Sequence, residues 1–363
     1  MYFFLLILGI LVYAKCVRID DRTGKSLILS LMPIAVVLII TFSLQYDVGR
    51  DYFSYIEAAT RNGVGLRKMY QFITDREYLF SGIVFLSQCT GVPQTIFFFT
   101  ALVQVIPFCI ALCHLQKEGI SVWNTLFLYF VLSLSFFNQF NGIRQFAASN
   151  VLFWAALLLF SNPRKILPWV LLLLTPLIHH ASAIMVLFMV ALVLLMHFYP
   201  NVTAQKKWLY IISLLCCLLY VVDVNAMITW VLKTTRIFTS FVGSSYLEKM
   251  SLSGVATKII KLVAVFYAVH RLHTEKLTQF ENRLLTMSYA SILVMIMSFS
   301  STLIWRMYLF FDIFLIFPVL LFFKYDATKK EKGLISLYLI AFLLAKILLL
   351  PSGEYLYSSI LWN

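Results

Sequence analysis

The sequence predicts an all-α, polytopic integral membrane protein, and three observations carry the prediction. Hydrophobic residues make up 61% of the 363 and charged residues only 12%, with a mean hydropathy of +0.89, so too few polar side chains exist to cover a soluble protein of this size. Apolar runs at 27–44, 95–112, 151–160 with its flanks, and 334–350 approach the roughly 20 residues that cross about 30 Å of hydrocarbon. Lipid supplies no water to unpaired backbone groups, so such runs read as helices, which satisfy those groups internally.

Taken in chain order, crossings are expected to start near residues 1, 27, 94, 121, 142, 166, 181, 208, 256, 284, 306 and 334, about twelve in a single transmembrane domain over 1–363. The first run lacks a basic leading region and a small-residue cleavage site, and reads as a helix rather than a cleaved signal. The stretch 77–89 has 13 residues, about 20 Å at helical rise, and is expected to re-enter as a half-helix. Charge placement favours that choice. With 77–89 not crossing, the short loops 15–26, 116–120, 161–165, 201–207, 270–283 and 324–333 share one side and hold sixteen Lys and Arg, as the positive-inside rule expects of the cytoplasm. The long connections 45–76 and 223–255 then lie outside, as the edge of a site and an amphipathic lid.

The net charge of +13 divides along the same lines. Sixteen cations against seven acids inside leave +9, and twelve against eight outside leave +4. Lys346 and Asp312 fall within helices, cancel, and are expected to pair. The inner excess follows from topology and anionic lipid, so nucleic-acid binding drops out as a function class. Eleven of the inner sixteen are Lys, whereas Arg50, Arg61, Arg67, Arg76, Arg144, Arg236 and Arg306 make seven of the outer twelve. Arginine's planar fork grips phosphate oxygens in pairs, which lysine cannot do. The six cysteines imply no disulfide framework, and Cys109 and Cys113, one turn apart, read as packing residues.

On this topology Arg50, Asp51, Glu77, Arg144, His180 and Arg306 reach one membrane face. In the run 45–55, Gly49 allows a turn, and Arg50, Asp51, Tyr52 and Tyr55 begin a new segment that can meet phosphate, handle a proton and stack on sugar. From spacing alone, an interfacial loop with an aromatic belt and a local Arg–Asp pair is the better account. Glu77 sits where a carboxylate favours a helix N-terminus, which also suffices as a structural explanation. Asn141, Arg144 and Gln145 lie in a short polar turn, and Arg144 has no acid within several residues, so a phosphate-bearing ligand is expected to supply its anion. His180, in His179–His180, is a candidate general base. Two adjacent histidines make poor metal ligands without further donors, so no metal site is expected. Arg306 and Tyr308 open the last but one helix region, and Lys233 and Arg236 lie in the lid.

The strings 48–55 (VGRDYFSY), Glu77 opening a short helix, 141–147 (NGIRQFA), 180–183 (HASA) and 306–308 (RMY) resemble, in order, the motifs of the EpsG-type family of Wzy-like polysaccharide polymerases, over most of the chain to about residue 323. Many relatives have Thr where Arg50 stands, which weakens Arg50 as a shared element. The resemblance selects His180 over His179. It implies a GT-C-like membrane glycosyltransferase of the bacterial inner membrane, with its site facing the periplasm or cell exterior. Such an enzyme transfers an undecaprenyl-diphosphate-linked glycan onto an undecaprenyl-diphosphate-linked repeat unit. His180 would be the base, with Asp51 or Glu77 as alternatives. Arg144 and Arg306, with Arg50 or Arg236, would hold the diphosphate, and Tyr52, Tyr55, Asn141, Gln145 and Tyr308 would bind sugar. No cofactor is implied, no Asp-x-Asp metal pair is present, and a chain-length regulator is an admissible additional partner. A lipid-linked oligosaccharide flippase, or a membrane acyltransferase or ligase acting on surface glycan, is the competing class. A flippase should carry polar residues through both leaflets, and here they gather at one end.

The topology predicts that alkaline phosphatase fused within 161–165 or 201–207 is inactive and fused within 45–76 is active. Activity in the first pair would invert the assignment.

Overall fold

Helices satisfy most of the backbone among the described residues. A computed structural model describes residues 2–133, 135–220, 222, 224–235, 242–243, 247–349 and 357–361. In order the helices are α1 (Tyr2–Cys16), α2 (Gly24–Ser43), α3 (Tyr52–Ala59), α4 (Gly63–Thr74), α5 (Tyr78–Thr90), α6 (Thr95–Lys117), α7 (Val122–Leu128), α8 (Ser135–Asn138), α9 (Ile143–Ser161), α10 (Ile166–Ile178), α11 (Ser182–Phe198), α12 (Val202–Leu218), α13 (Val224–Thr235), α14 (Leu252–Arg271), α15 (Gln279–Met297), α16 (Thr302–Tyr308), α17 (Phe317–Tyr325) and α18 (Lys329–Leu349). Among the described residues there is no strand, only an isolated antiparallel bridge between Gln45 and Ser359. The protein is an all-helical, polytopic membrane protein.

A helix stands near each expected crossing. Five of them (α2, α6, α9, α14 and α18) are long and apolar enough to cross a membrane alone. Among the described residues, joining α16 to the helical stretch Asp312–Tyr325 gives a sixth span of that length and composition, and that pair is bent by 73°. A continuous helix from 306 was expected, and the break differs from it. Carbonyls freed at the break are taken up by α15, where Ser291 Oγ donates to Phe311 O at 2.9 Å and Ser288 Oγ to Phe314 O at 2.7 Å. Helix α5 has 13 residues, too few for about 30 Å of hydrocarbon.

Side-chain chemistry starts and stops several helices. Thr23 with Ser26, and Thr278 with Glu281, form capping boxes on α2 and α15, and Ser251 caps α14. Asn62 starts α4 by accepting from the N–H groups of Val64 and Gly65 at 3.0 and 2.8 Å. The expected outer loop 45–76 is thus mostly two short helices.

The sequence shows no composition break, yet the chain divides into two compact bodies, 1–191 with 343–363, and 192–342. In the first, α6 packs on α2 and α9, and α9 on α10. Helix α9 is buried around nearly its whole circumference, from Ile143 and Phe146 to Phe160, which makes it the body's central post. Residues 357–361 return to this body. Tyr46 N donates to Ser358 O and Ile360 N to Leu44 O, both at 3.0 Å, while the Tyr357 ring stacks on Tyr2 with centroids 4.5 Å apart. In the second body α12 packs on α15, and α14 on α17.

Candidate functional site

Helix α4 ends at Asp75, Arg76 adopts a left-handed φ of 63°, and Glu77 N donates to Phe72 O at 2.8 Å. This reversal delivers Glu77 to the start of α5 with no exposed surface. Its carboxylate makes no capping bond to α5, so the helix-terminus explanation is not how the group is used. One oxygen, Oε2, accepts from Arg144 Nη1 at the start of α9. The other, Oε1, accepts from His179 Nδ1 and His180 Nδ1, each at 2.8 Å, and from His180 N at 3.1 Å. One carboxylate therefore gathers the α4–α5 reversal, α9 and the α10–α11 turn.

The anion expected from a bound phosphate is thus supplied from within. Arg144 was read as lacking a nearby acid, and Glu77, 67 positions away in the chain, provides it. The Arg144 guanidinium also lies over three rings, 4.8 Å from the centroid of Phe72, 5.5 Å from Phe80 and 5.9 Å from Tyr55. Its Nε–H is buried without a hydrogen-bond partner among the described residues.

Burial alone would raise the Glu77 carboxyl, but hydrogen bonds from His179 and His180 and the charge of Arg144 hold it well below its usual range. Burial pushes His179 below its ordinary value of 6.5 despite the attraction of Glu77. With Glu77 ionised, both Nδ1 atoms must carry protons, so in each neutral imidazole Nε2 is the basic nitrogen. The His180 side chain is 34% exposed and that of His179 17%. Glu77, His179 and His180 also offer three potential ligand atoms within 4.8 Å of one another. The histidines were judged poor ligands for want of a further donor, and Glu77 is that donor.

Beside this cluster, the 48–52 turn is clamped from α9's leading turn. Asn141 Oδ1 accepts from Arg50 N at 2.8 Å and Asp51 N at 3.3 Å, and Gly49 takes a φ of 79° directly against Asn141. Arg50 and Asp51 are exposed. Tyr52 is buried, stacked on Phe97 with centroids 5.1 Å apart, and donates to Gln94 Oε1 at 2.9 Å. Gln94 Nε2 in turn donates to Ser43 O and Gln45 O at 2.9 and 2.7 Å. Tyr55 is buried beneath Arg144. Of the residues expected to bind sugar, Tyr52 and Tyr55 have their rings packed away from solvent, and the Asn141 amide oxygen is occupied by backbone N–H groups. Gln145 stays half-buried next to Arg144.

The remaining expected residues belong to the second body or lie outside the described residues. Tyr308, expected on sugar, is fully buried and donates to Asp312. Asp312 Oδ1 lies 3.8 Å from Lys261 Nζ, so the structure gives it Lys261, an ion-pair partner that the sequence reading did not name. Arg306 is exposed on α16. Arg236 lies outside the described residues, and α13 is the main part of the expected lid that they include. Sequence reasoning set His179 aside in favour of His180 and did not single out Gln94, Lys258 or Lys261. The lysines are visible in the sequence as charges three residues apart inside an apolar run, and His179 as the neighbour of His180.

The EpsG family model matches residues 28–359. No curated protein and no solved structure matches the chain.

Gly49→Ala is expected to lower the melting temperature and to disturb the turn, because a Cβ there would lie 2.9 Å from Asn141 Cβ and Oδ1 at an unfavourable φ, a cost of about 1–3 kcal/mol. Unchanged melting in detergent would detach the turn from Asn141. Acid should also weaken this body in two stages. His179 is held below 6.5, so its contribution is full above that pH and falls as pH drops toward its lowered folded value. Glu77, held below 4.5, keeps its contribution until pH passes below the carboxylate range. Melting temperature measured from pH 8 to 4 should decline below about 6.5, and His179→Gln should flatten the decline between 6.5 and 5.

Proposed function

The chain belongs to the EpsG family of polysaccharide-polymerase-like membrane proteins, and from that membership we propose that it polymerises a bacterial surface glycan of O-antigen or capsule type. On this reading it works in the cytoplasmic membrane, in a GT-C-like architecture whose site opens to the periplasm or cell exterior. It transfers an undecaprenyl-diphosphate-linked glycan onto an undecaprenyl-diphosphate-linked repeat unit. The observation that carries the reading is the carboxylate of Glu77 holding His180 and Arg144 on opposite oxygens. One oxygen orients a base, and the other steadies a cation beside it.

In the reaction an acceptor hydroxyl attacks the donor's anomeric carbon. Its oxygen forms the new glycosidic bond, the bond from that carbon to the phosphate oxygen breaks, and the diphosphate leaves with the electron pair. His180 Nε2 takes the hydroxyl proton, and Glu77 stabilises the imidazolium through Nδ1–H, as the acid of a catalytic triad does for its histidine. Glu77 thus orients the base rather than acting as one, because both its oxygens are engaged. Asp51, exposed beside the cluster, is the alternative base. Arg144 balances charge growing on the diphosphate, with its buried Nε–H as a further donor. Arg50 is proposed to hold the same group, Arg306 and Arg236 to bind substrate diphosphate, and Gln145 the sugar. Catalysis is proposed to need no metal, since Arg144 already balances the carboxylate that a divalent ion would bind. The substrates are the donor and acceptor glycolipids, with a chain-length regulator as an additional partner.

Purified protein given synthetic lipid-linked repeat units should yield a ladder of longer lipid-linked products, and transport without a ladder would make it a flippase. Arg144→Ala and Arg306→Ala should each abolish the ladder with the protein still in the membrane. Arg144→Ala should also lower the melting temperature, because Glu77 is left without its cation, a loss of about 3–5 kcal/mol. His180→Ala should slow turnover about 10²–10⁴-fold; near-normal turnover passes the base role to Asp51. EDTA should leave the ladder intact, and loss restored by magnesium or zinc would replace the metal-free mechanism.

A further inference from the structure

The three side chains that meet at Glu77 Oε1 have the makings of a second chemistry. Glu77, His179 and His180 place three ligand atoms within 4.8 Å of one another, and each Nδ1 already stands 2.8 Å from Oε1. Two donors on one zinc-sized ion, with bonds of about 2.1 Å, lie about 3.0–3.4 Å apart. Each imidazole therefore need retreat from Oε1 by only tenths of an ångström, and the ion takes the place of the two Nδ1 protons. The donors are also held in advance by their own backbones. Glu77 N donates to Phe72 O and Ser81 N to Glu77 O, both at 2.8 Å, while His179 N donates to Thr175 O at 3.0 Å and Ser182 N to His179 O at 2.9 Å. The His180 side chain is 34% exposed, which opens the cluster to solvent from its side.

The donor set discriminates between ions. Arg144 balances the carboxylate through Oε2, so a hard ion held by charge and oxygen donors, such as magnesium or calcium, gains little here. Two imidazole nitrogens with one carboxylate oxygen suit zinc and its neighbours in the first transition row, with water completing an open site. Binding rearranges the protons. Each Nδ1 gives up its proton and forms a coordinate bond with its lone pair, as Oε1 does, so the two N–H···O bonds to Glu77 are lost. In each neutral ring a proton returns from solvent at Nε2. His180 Nε2, the base of the proposed transfer, then carries a proton and accepts none.

We propose that Glu77, His179 and His180 form an inhibitory site for a zinc-like transition-metal dication, whose occupation and glycosyl transfer exclude one another. The inhibition rests on the polymerase reading, and the binding does not. Full-length protein in detergent is titrated with cobalt(II), whose visible d–d bands report its ligands, with zinc(II) and magnesium(II) as competitors. Wild type should bind one equivalent that zinc displaces and magnesium does not. His179→Gln and His180→Gln should each weaken that equivalent at least about tenfold, because changes behind a ligand alone cost that much. His114→Gln, whose imidazole lies against Ser161 at the end of α6, should bind like wild type. In the ladder assay zinc should stop elongation and EDTA restore it, and His179→Gln should need correspondingly more zinc, measured against its own zinc-free turnover. No histidine-dependent equivalent, in variants that elute normally on size exclusion, overturns the proposal. A cobalt–thiolate band in the near ultraviolet, lost on blocking the cysteines together with all binding, overturns it as well. A histidine-dependent equivalent beside a ladder that zinc leaves unchanged or accelerates overturns the inhibition. The same equivalent with no ladder under any condition removes the polymerase reading and leaves the metal site standing.

Discussion

A single fully buried carboxylate, Glu77, fixes the candidate site. It accepts from a guanidinium on one oxygen and from two imidazoles and a backbone N–H on the other. Ions taken out of water repay their desolvation only when their bonding is nearly complete, and here each oxygen is engaged. The α4–α5 reversal, the start of α9 and the α10–α11 turn consequently have one arrangement in which all the charges are matched. The same bonds set which imidazole nitrogens are protonated, so the group that shapes the fold locally also sets the chemistry.

Around that ion cluster the first body divides labour between exposed and buried polar groups. Arg50 and Asp51 stay accessible because Asn141, Gly49 and Gln94 hold their turn from behind. Tyr52 and Tyr55 contribute ring surface to the floor beneath Arg144 and the turn. A guanidinium resting on three aromatic faces keeps its orientation when its ionic partner changes, which suits the role proposed for Arg144 in receiving a departing anion.

Much of the fold was legible because lipid forces backbone groups to pair within helices: apolar runs located a helix near each of the twelve expected positions. The 73° break between α16 and the stretch from Asp312 was not legible, since the serines of α15 that accommodate it lie about 20 residues earlier in an ordinary apolar segment. For the site, local spacing flagged Glu77, Arg144 and His180 separately but gave no way to join them. Their contacts span 67 and 103 positions, and a motif carries no record of what it meets across a bundle. The tyrosines of 52–55 were ambiguous for a related reason. An aromatic next to charged residues can face sugar or core, and only the packing of α3 on α5 and α6 decides between them. His179 was set aside in favour of its neighbour, although one carboxylate oxygen accepts from both.

The return of residues 357–361 to the segment at 44–46 makes the carboxyl-terminal stretch a splint for the turn that bears Arg50 and Asp51. Tyr2, stacked on Tyr357, draws α1 into the same seam. A substitution that loosens this seam would therefore slacken the turn beside the candidate site, and a loss of turnover in it would report on the splint before it reported on the chemistry.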